Sequence, residues 1–438
     1  MRKITSSHIE KALSILNQSK DSKLLTHLNS CVHCGLCGTS CMYYLTSDDP
    51  KMMPAYKVDI VASIYRRYCT TFGKLLPAWV KAREINDHTV EEMTDALFGS
   101  CTMCGRCVKH CSIGVDIPFI VRVGRMMLAA MDCVPESLQA TVNSAIETGN
   151  NMAIPTSEFV DTIQWMEEEL QEEVGDKEAK IPLDAPNKRI LYTLNPREPK
   201  FFPLSISAVA KIFYAAKESW TISTAMYDIT NYAFFSGDNE KATVIAQRLT
   251  DEVKKMGNEL LVLGECGHGA RAVRWEAPNW LGIKFDFNTL NLIELLGNYL
   301  RNKTIRVDKS FNDKRYTIHD PCNISRNGGL MNELRFVVYQ CVESVVEMSP
   351  HGADSFCCGG GGGQLSMSEY NERRFKVGKI KADQIRATGA QVVITPCHNC
   401  VDQLMQLNVT YKLGVQIKTV AEIVADALRV PFFLALEK

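Results

Sequence analysis

Apolar positions recur at helical spacing over residues 8 to 28 (Ile9, Leu13, Ile15, Leu16, Leu24, Leu25), which predicts an amphipathic helix leading into a first run of cysteines. The stretch between Cys41 and Cys101 keeps the helical period, as in VDIVASIYRRY and PAWVKAREI. From 141 to 188 the chain turns acidic and irregular, with EEELQEEVGDKEAK and then IPLDAPNK, and reads as a helix followed by a linker with a domain boundary near 185. Beyond it the period changes. Apolar β-rich runs (RILYTL, ELLVLG, RYTIHD, QVVITP) alternate with amphipathic helical ones (KATVIAQRLTDEVKKMG, NTLNLIELLGNYL, NELRFVVYQCVESVVEM, ERRFKVGKIKADQIRATG). Strand and helix in alternation predict α/β layering on a mainly parallel sheet. The strands ending at Leu194 and at His319 each start a similar series of elements, a faint internal repeat. The expected organisation is an α-helical domain over 1–140, a helix and linker over 141–185, and an α/β domain of two pseudo-repeats over 186–438.

The 438 residues are 46% hydrophobic, enough for two or three domains that each bury a core, and this excludes disorder. The net charge of -1 supplies no basic field for nucleic acid or an anionic surface, so nucleic acid is not an expected partner. The N-terminus MRKITSSHIEKALSILNQ lacks a secretory apolar run. Lys211 and Lys217 bracket one apolar stretch and Arg429 interrupts the last, so no membrane span is expected. A soluble, intracellular protein follows from this reading. In a reducing compartment 17 cysteines are not a disulfide framework, and most stand at spacings too tight for well-formed disulfides. Metal ligation is the reading that remains.

Two C-x-x-C-x-x-C-x-x-x-C runs, Cys31, Cys34, Cys37 with Cys41 and Cys101, Cys104, Cys107 with Cys111, carry the spacing by which thiolates and backbone N–H groups wrap a 4Fe-4S cubane. In two-cluster ferredoxins the fourth cysteine of each run serves the other cluster. One cubane is therefore expected on Cys31, Cys34, Cys37 and Cys111, and the other on Cys101, Cys104, Cys107 and Cys41. Zinc would leave the doubled spacing unexplained. Met42 and Ser112 stand where proline usually follows the fourth cysteine, which bears on loop geometry and not on ligation. Small bacterial ferredoxins have hairpins and a short spacer between the runs, whereas the helical insertion here points to an all-helical ferredoxin domain. Cubanes with four thiolates have no open iron, so these two are expected to move electrons.

A second constellation comprises HDPC at His319 to Cys322, FCCGGGGG at Phe356 to Gly363 and PCHNC at Pro396 to Cys400. Each piece follows a predicted strand or opens a helix, so Cys322, Cys357, Cys358, Cys397 and Cys400 can meet at the carboxyl edge of a sheet. Adjacent cysteines fit an ordinary cube poorly and suggest a less regular cluster, and Gly359 to Gly363 would let backbone approach inorganic sulfurs. A nucleotide loop is disfavoured because no Lys-Ser/Thr follows the glycines. A zinc site on Cys322, Cys397, Cys400 and one of the adjacent pair is the competing reading.

This constellation resembles the cysteine-rich CCG domain found in the B and D subunits of heterodisulfide reductase. TLNLIELL, HDPC, Arg335, Glu347-Met348 and CCGGGGG resemble the same family, and the resemblance spans nearly the whole chain because the D subunit also joins a helical two-cluster ferredoxin domain to CCG repeats. It implies a noncubane 4Fe-4S cluster on Cys322, Cys357, Cys358, Cys397 and Cys400 that makes or breaks a sulfur–sulfur bond one electron at a time. The first copy reads Thr193-Leu194 and Phe235-Ser236-Gly237-Asp238 where cysteines are expected, so it is degenerate. A single noncubane site together with GECGH, Gly264 to His268, resembles the cytoplasmic subunits of sulfate-reducer membrane redox complexes of the DsrK, HmcF and TmcB type.

The function so implied is an electron-transfer subunit of a membrane-associated complex in anaerobic respiration. It would relay electrons between an integral-membrane, haem b- or quinone-linked partner and a thiol/disulfide substrate or small dithiol protein. It would sit on the cytoplasmic side of the membrane through partner subunits. Two rivals are the iron-sulfur subunit of a flavin-linked hydroxy-acid or glycerol-3-phosphate dehydrogenase, and a conduit whose third cluster meets no substrate. Cys266 reads as a thiol near the third cluster or an extra ligand, against a plain buried cysteine. His268 and His319 read either as proton donors to a thiolate or as strand-end histidines satisfied by backbone. Cys69, Cys133 and Cys341 lack partners at ligand spacing and read as core.

Overall fold

The computed structural model describes residues 3–429, so the apolar run after Arg429 lies outside the described residues. The chain forms two compact units. One gathers the chain up to Ala140 with two later excursions, Tyr232–Glu240 and Gly359–Ile380; the other gathers Thr141–Asn231, Lys241–Cys358 and the chain from Lys381 on.

The first unit has no strand among the described residues. The predicted helix over 8–28 is two helices, Ser6–Gln18 and Ser22–Ser30. The break falls at Asp21, whose carboxylate accepts from Leu24 N–H at 2.7 Å and starts the second helix as its N-cap. VDIVASIYRRY lies in the helix Pro54–Cys69, as expected. PAWVKAREI does not form a helix: Pro77 begins a run of turns, with Lys81 left-handed at φ 52, and the next helix waits until Asp87–Thr94. The helix Ile117–Ala130 packs so closely on Leu97 that a Cβ at Gly124 would stand 2.4 Å from a Leu97 methyl.

The second unit carries strands β1 (Ile190–Thr193), β2 (Trp220–Thr221), β3 (Leu260–Leu263), β4 (Asn288–Asn291), β5 (Arg315–Ile318), β6 (Ser344–Val345), β7 (Val392–Ile394) and β8 (Gln416–Lys418). They form two four-stranded sheets, ordered β2-β1-β3-β4 and β6-β5-β7-β8, and all pairings are parallel. Both sheets thus have the same order, and β1, β3, β5 and β7 are central strands buried on both faces, as parallel sheets require. One apolar core runs through both, from Ile190, Tyr192 and Val262 to Tyr316, Ile318 and Ile394. The acidic helix Thr156–Val174 buries Phe159, Ile163, Met166 and Leu170 in that core, and Phe159 stacks on Tyr227 at 3.9 Å between ring centres.

Candidate metal centres

The two cysteine runs of the first unit share one backbone design. In C-x-x-C-G-x-C, the residue before the second cysteine is left-handed in both runs (His33 at φ 55, Met103 at φ 55), and so is the glycine after it (Gly35 at φ 81, Gly105 at φ 77). Such turns aim successive N–H groups inward. Met103 N–H donates to Cys101 Sγ at 3.4 Å and Val115 N–H to Cys111 Sγ at 3.4 Å. The repeated left-handed pair was signalled by the repeated glycine and not read from the cysteine spacing alone.

Cys31, Cys34, Cys37 and Cys111 line one cavity, together with Val32, Leu36 and Ala55. The thiol of Cys31 is raised by burial and by the nearness of Asp59, Cys111 and Cys34. Cys107 is pushed well up by burial and then by Cys104, Cys101 and Cys41. The structure therefore brings the last cysteine of each run to the first three of the other. Burial also raises Cys41 and Cys101, and the ammonium of buried Lys57 opposes it at both. Four thiols gathered within one loop pair, twice over, are the donor set that a 4Fe-4S group takes, so these residues fit such groups.

Arg125, on the helix Ile117–Ala130, is fully buried beside the second set. Its guanidinium donates to the carbonyls of Leu97 at 2.8 and 3.0 Å, Cys101 at 2.8 Å, Phe235 at 2.6 Å and Gly362 at 2.8 Å. Segment 95–99, just before Cys101, is a π-helical turn, the kind of irregularity that frees carbonyls for such partners. Within the glycine run, Gly362 has a packing role of its own. A Cβ at Gly362 would lie 2.7 Å from the Thr102 carbonyl carbon, and one at Gly237 would lie 2.4 Å from that of Arg125. Glycine at 362 thus serves close approach to the Cys101–Cys104 loop.

In the second unit, Cys322 follows β5, Cys357-Cys358 follow β6, and Cys397 follows β7 as the N-cap of the helix His398–Tyr411 that carries Cys400. Cys358 and Cys400 have sulfurs 3.4 Å apart. A nitrogen of His319 lies with both sulfurs in a set whose members are within 4.8 Å of one another. Cys397, hydrogen bonded to Cys400 and accepting from Gly267 N–H at 3.4 Å, is drawn down to about 7. Cys357, Cys358, Cys397 and Cys400 are buried, and Cys322 is half-buried.

A buried cation and orphaned nitrogens complete the site. Lys381 is buried, and its ammonium, lowered to about 8 by burial, is supported by Asp320, Cys358, Cys357 and Cys400. His319 is buried with neither ring nitrogen hydrogen bonded among the described residues, although its main-chain N–H donates to Ile394 O at 2.9 Å. A backbone-satisfied histidine is therefore not what the structure shows. Burial holds the His319 imidazole well below its usual range and His268 at about 3, so neither carries the extra proton of a cationic donor at neutral pH. His268 instead pairs with Asn399. A buried ammonium facing three thiols, beside an unpartnered imidazole, fits a resident negatively charged group.

Cys266 is buried at the end of β3, its sulfur accepting from Asn195 Nδ2 and from Gly269 N–H at 3.3 Å each. Burial and then Cys397 push its thiol up. Its neighbour Gly267 reaches Cys397, so Cys266 sits one residue from the site rather than apart from it. Cys341 is core, with a thiol raised to about 12 by burial. Cys69 and Cys133 are only half-buried, against the expectation of core. Sequence reading missed Arg125, Lys57 and Lys381, which look like ordinary helix charges until their burial is seen.

Residues 27–115 match the 4Fe-4S dicluster domain family and residues 316–405 the cysteine-rich domain family. The chain is 27% identical to the Hdr-like menaquinol oxidoreductase iron-sulfur subunit 2 of Archaeoglobus fulgidus, over 96% of this chain and 82% of that one. It is 23% identical to the D subunit of the dihydromethanophenazine:CoB--CoM heterodisulfide reductase of Methanosarcina barkeri, over 94% and 97%. An EtfAB:quinone oxidoreductase of Syntrophomonas wolfei is 21% identical over 87% of this chain and 55% of its own length. No helix among the described residues is long and apolar enough to cross a membrane. With a dicluster domain ahead of a cysteine-rich domain and similarity over most of its length to these subunits, the chain is an iron-sulfur electron-transfer protein related to the heterodisulfide reductase D subunit and the Hdr-like menaquinol oxidoreductase iron-sulfur subunits.

Proposed function

We propose that this chain is the electron-relaying subunit of a membrane-associated respiratory complex, working between a quinone- or haem b-linked membrane partner and a thiol/disulfide substrate. The observation that carries the reading is the convergence of Cys358, Cys397 and Cys400 beside Cys357, the buried ammonium of Lys381 and the unpartnered imidazole of His319. Two cubane 4Fe-4S clusters belong on Cys31, Cys34, Cys37, Cys111 and on Cys101, Cys104, Cys107, Cys41. A noncubane 4Fe-4S cluster belongs on Cys322, Cys357, Cys358, Cys397 and Cys400, and when bound it supplies one-electron steps at sulfur. The substrate exchanges two electrons and two protons as one sulfur–sulfur bond opens to two thiols, or the reverse.

The chain's own residues set the conditions. Lys381 offsets negative charge from a buried position, where an isolated charge would be most costly. Asn195 and Gly269 hold the Cys266 sulfur in one position beside the Cys397 segment. Lys57 and Arg125 place positive charge around the second cubane set, which favours an added electron there.

The domains are read as a helical dicluster domain over 1–140, a connecting segment over 141–185 and a CCG domain from 186 on, made of two copies. The shared strand order of the two sheets supports two copies, as do the equivalent positions of Cys266 and Cys397, each the N-cap of the helix after a central strand. The first copy has only Cys266 and holds no cluster of its own.

Anaerobic iron and sulfide analysis with EPR tests this, and about twelve irons per chain are expected from three four-iron clusters. Cys358→Ser should remove one unusual signal, leave both cubane signals and abolish the response of that signal to added thiol or disulfide. A count near eight with tightly held zinc would overturn the third cluster. A third cluster indifferent to thiols and disulfides would leave a conduit only.

A further inference from the structure

The turn that replaces the expected PAWVKAREI helix leaves large apolar side chains without cover. Phe72 is 60% exposed, Leu75 72%, Leu76 50% and Trp79 74%. So many large apolar groups exposed within one short segment, with the Phe72 and Trp79 rings in contact, mark an interaction surface. The patch is preformed. Thr70 caps the short helix Thr71–Leu75 by accepting from Gly73 N–H at 3.0 Å, and a Cβ at Gly73 would stand 1.8 Å from the Arg66 carbonyl oxygen. Ala82 N–H closes the following turn on Pro77 O at 2.8 Å, Arg83 N–H ties it to Ser63 O at 3.1 Å, and Phe72 packs edge-on to Trp79 at 6.1 Å.

The charge that the segment leaves unpaired is of one sign. Between Asp59 and Glu84 the sequence has Arg66, Arg67, Lys74, Lys81 and Arg83 and no acidic residue. Arg67 is neutralised by Glu84 and Arg83 by Glu92, whereas exposed Lys74 and Lys81 have no ion pair among the described residues. An apolar, aromatic crest rimmed by free lysines is complementary to a bilayer surface: aromatic rings settle at headgroup level, leucines reach the acyl boundary, and ammonium groups meet phosphate. The cytoplasmic loops of membrane proteins carry excess Lys and Arg, so the same rim suits such loops poorly.

We propose that the 72–81 excursion is a membrane-interface anchor, which seats Phe72, Leu75, Leu76 and Trp79 among the headgroups of an anionic bilayer with Lys74 and Lys81 at phosphate level. This rests on the reading that the protein works at a membrane, and it makes the chain itself a contributor to that attachment.

The test uses the full-length, iron-loaded protein and sedimentation with phosphatidylglycerol/phosphatidylcholine vesicles, against pure phosphatidylcholine. Binding is expected to the anionic vesicles, to weaken with salt, and to fall roughly fivefold for each charge removed in Lys74→Gln and Lys81→Gln. Leu75→Ser with Trp79→Ser should abolish it. Brominated lipid should quench fluorescence in the wild type and not in Trp79→Phe. These side chains are exposed, so iron content and far-UV signal should not change in any variant. Wild-type protein that ignores anionic vesicles, or variants that bind equally, would overturn the proposal. So would a patch that sustains only self-association by light scattering, or only co-purification with a membrane subunit. Iron count and EPR report separately on the clusters, so a failed anchor and a failed functional reading give different results.

Discussion

Arg125 donates to the main-chain carbonyl of Gly362 at 2.8 Å, and the same guanidinium holds the carbonyl of Cys101 at 2.8 Å. One buried cation thus ties the glycine loop that follows Cys357-Cys358 to a cysteine of the second C-x-x-C-x-x-C-x-x-x-C run. Burial lowers this guanidinium to about 10, and its described hydrogen bonds go to carbonyls and to no carboxylate.

Replacing that side chain should therefore be costly. Arg125→Met leaves the carbonyls of Leu97, Cys101, Phe235 and Gly362 without their donor in a dry environment. A loss of about 3–5 kcal/mol is expected, as for other buried charged hydrogen-bond networks. Denaturant midpoints of the anaerobic protein measure it, and a loss below about 1 kcal/mol would show that water replaces the guanidinium.

Two left-handed glycines separate strain from crowding. Gly282 (φ 63) would have nothing within 4 Å of an added Cβ, whereas Gly362 (φ 64) would place one 2.7 Å from the Thr102 backbone. Gly282→Ala should cost about 1 kcal/mol, the conformational term alone. Gly362→Ala should cost more, by about 1–3 kcal/mol of overpacking. Equal losses in thermal unfolding would mean that the glycine loop yields freely.

The charge and imidazole beside the third site should set its potential. Lys381→Met removes a buried positive charge facing Cys357, Cys358 and Cys400, and His319→Phe removes the unpartnered nitrogens near Cys358 and Cys400. Each should lower the reduction potential of the third cluster. Lys381→Met is expected to change the reduced-to-oxidised ratio at fixed ambient potential by at least about tenfold, or about 59 mV for one electron. EPR-monitored titration reads this with the two cubane potentials as internal controls, and iron content should stay constant. Loss of iron in His319→Phe would instead make the imidazole a ligand.

Much of this molecule is local and therefore legible in its sequence. The thiol spacing of Cys31 to Cys41 and Cys101 to Cys111 lies within single loops, where chain geometry leaves few arrangements. The strands at 190, 260 and 392 are nearly continuous apolar runs, as buried parallel strands must be. The cysteines of CCG and CHNC each follow a strand or open a helix, so the approach of Cys358 to Cys400 was legible from element order.

What required the three-dimensional fold is whatever depends on partners distant in sequence. An apolar period reports that a face could be buried and not that a partner exists. PAWVKAREI therefore reads as helix, yet Pro77 turns the chain and leaves Trp79 in solvent. A charged residue in a helical pattern reads as a surface position, yet Arg125, Lys57 and Lys381 are buried because carbonyls and thiols from remote segments surround them. The order of residues settles which thiols exist and at what spacing. Folding settles which imidazole and which cations face them, because burial is set by long-range packing that no local pattern encodes.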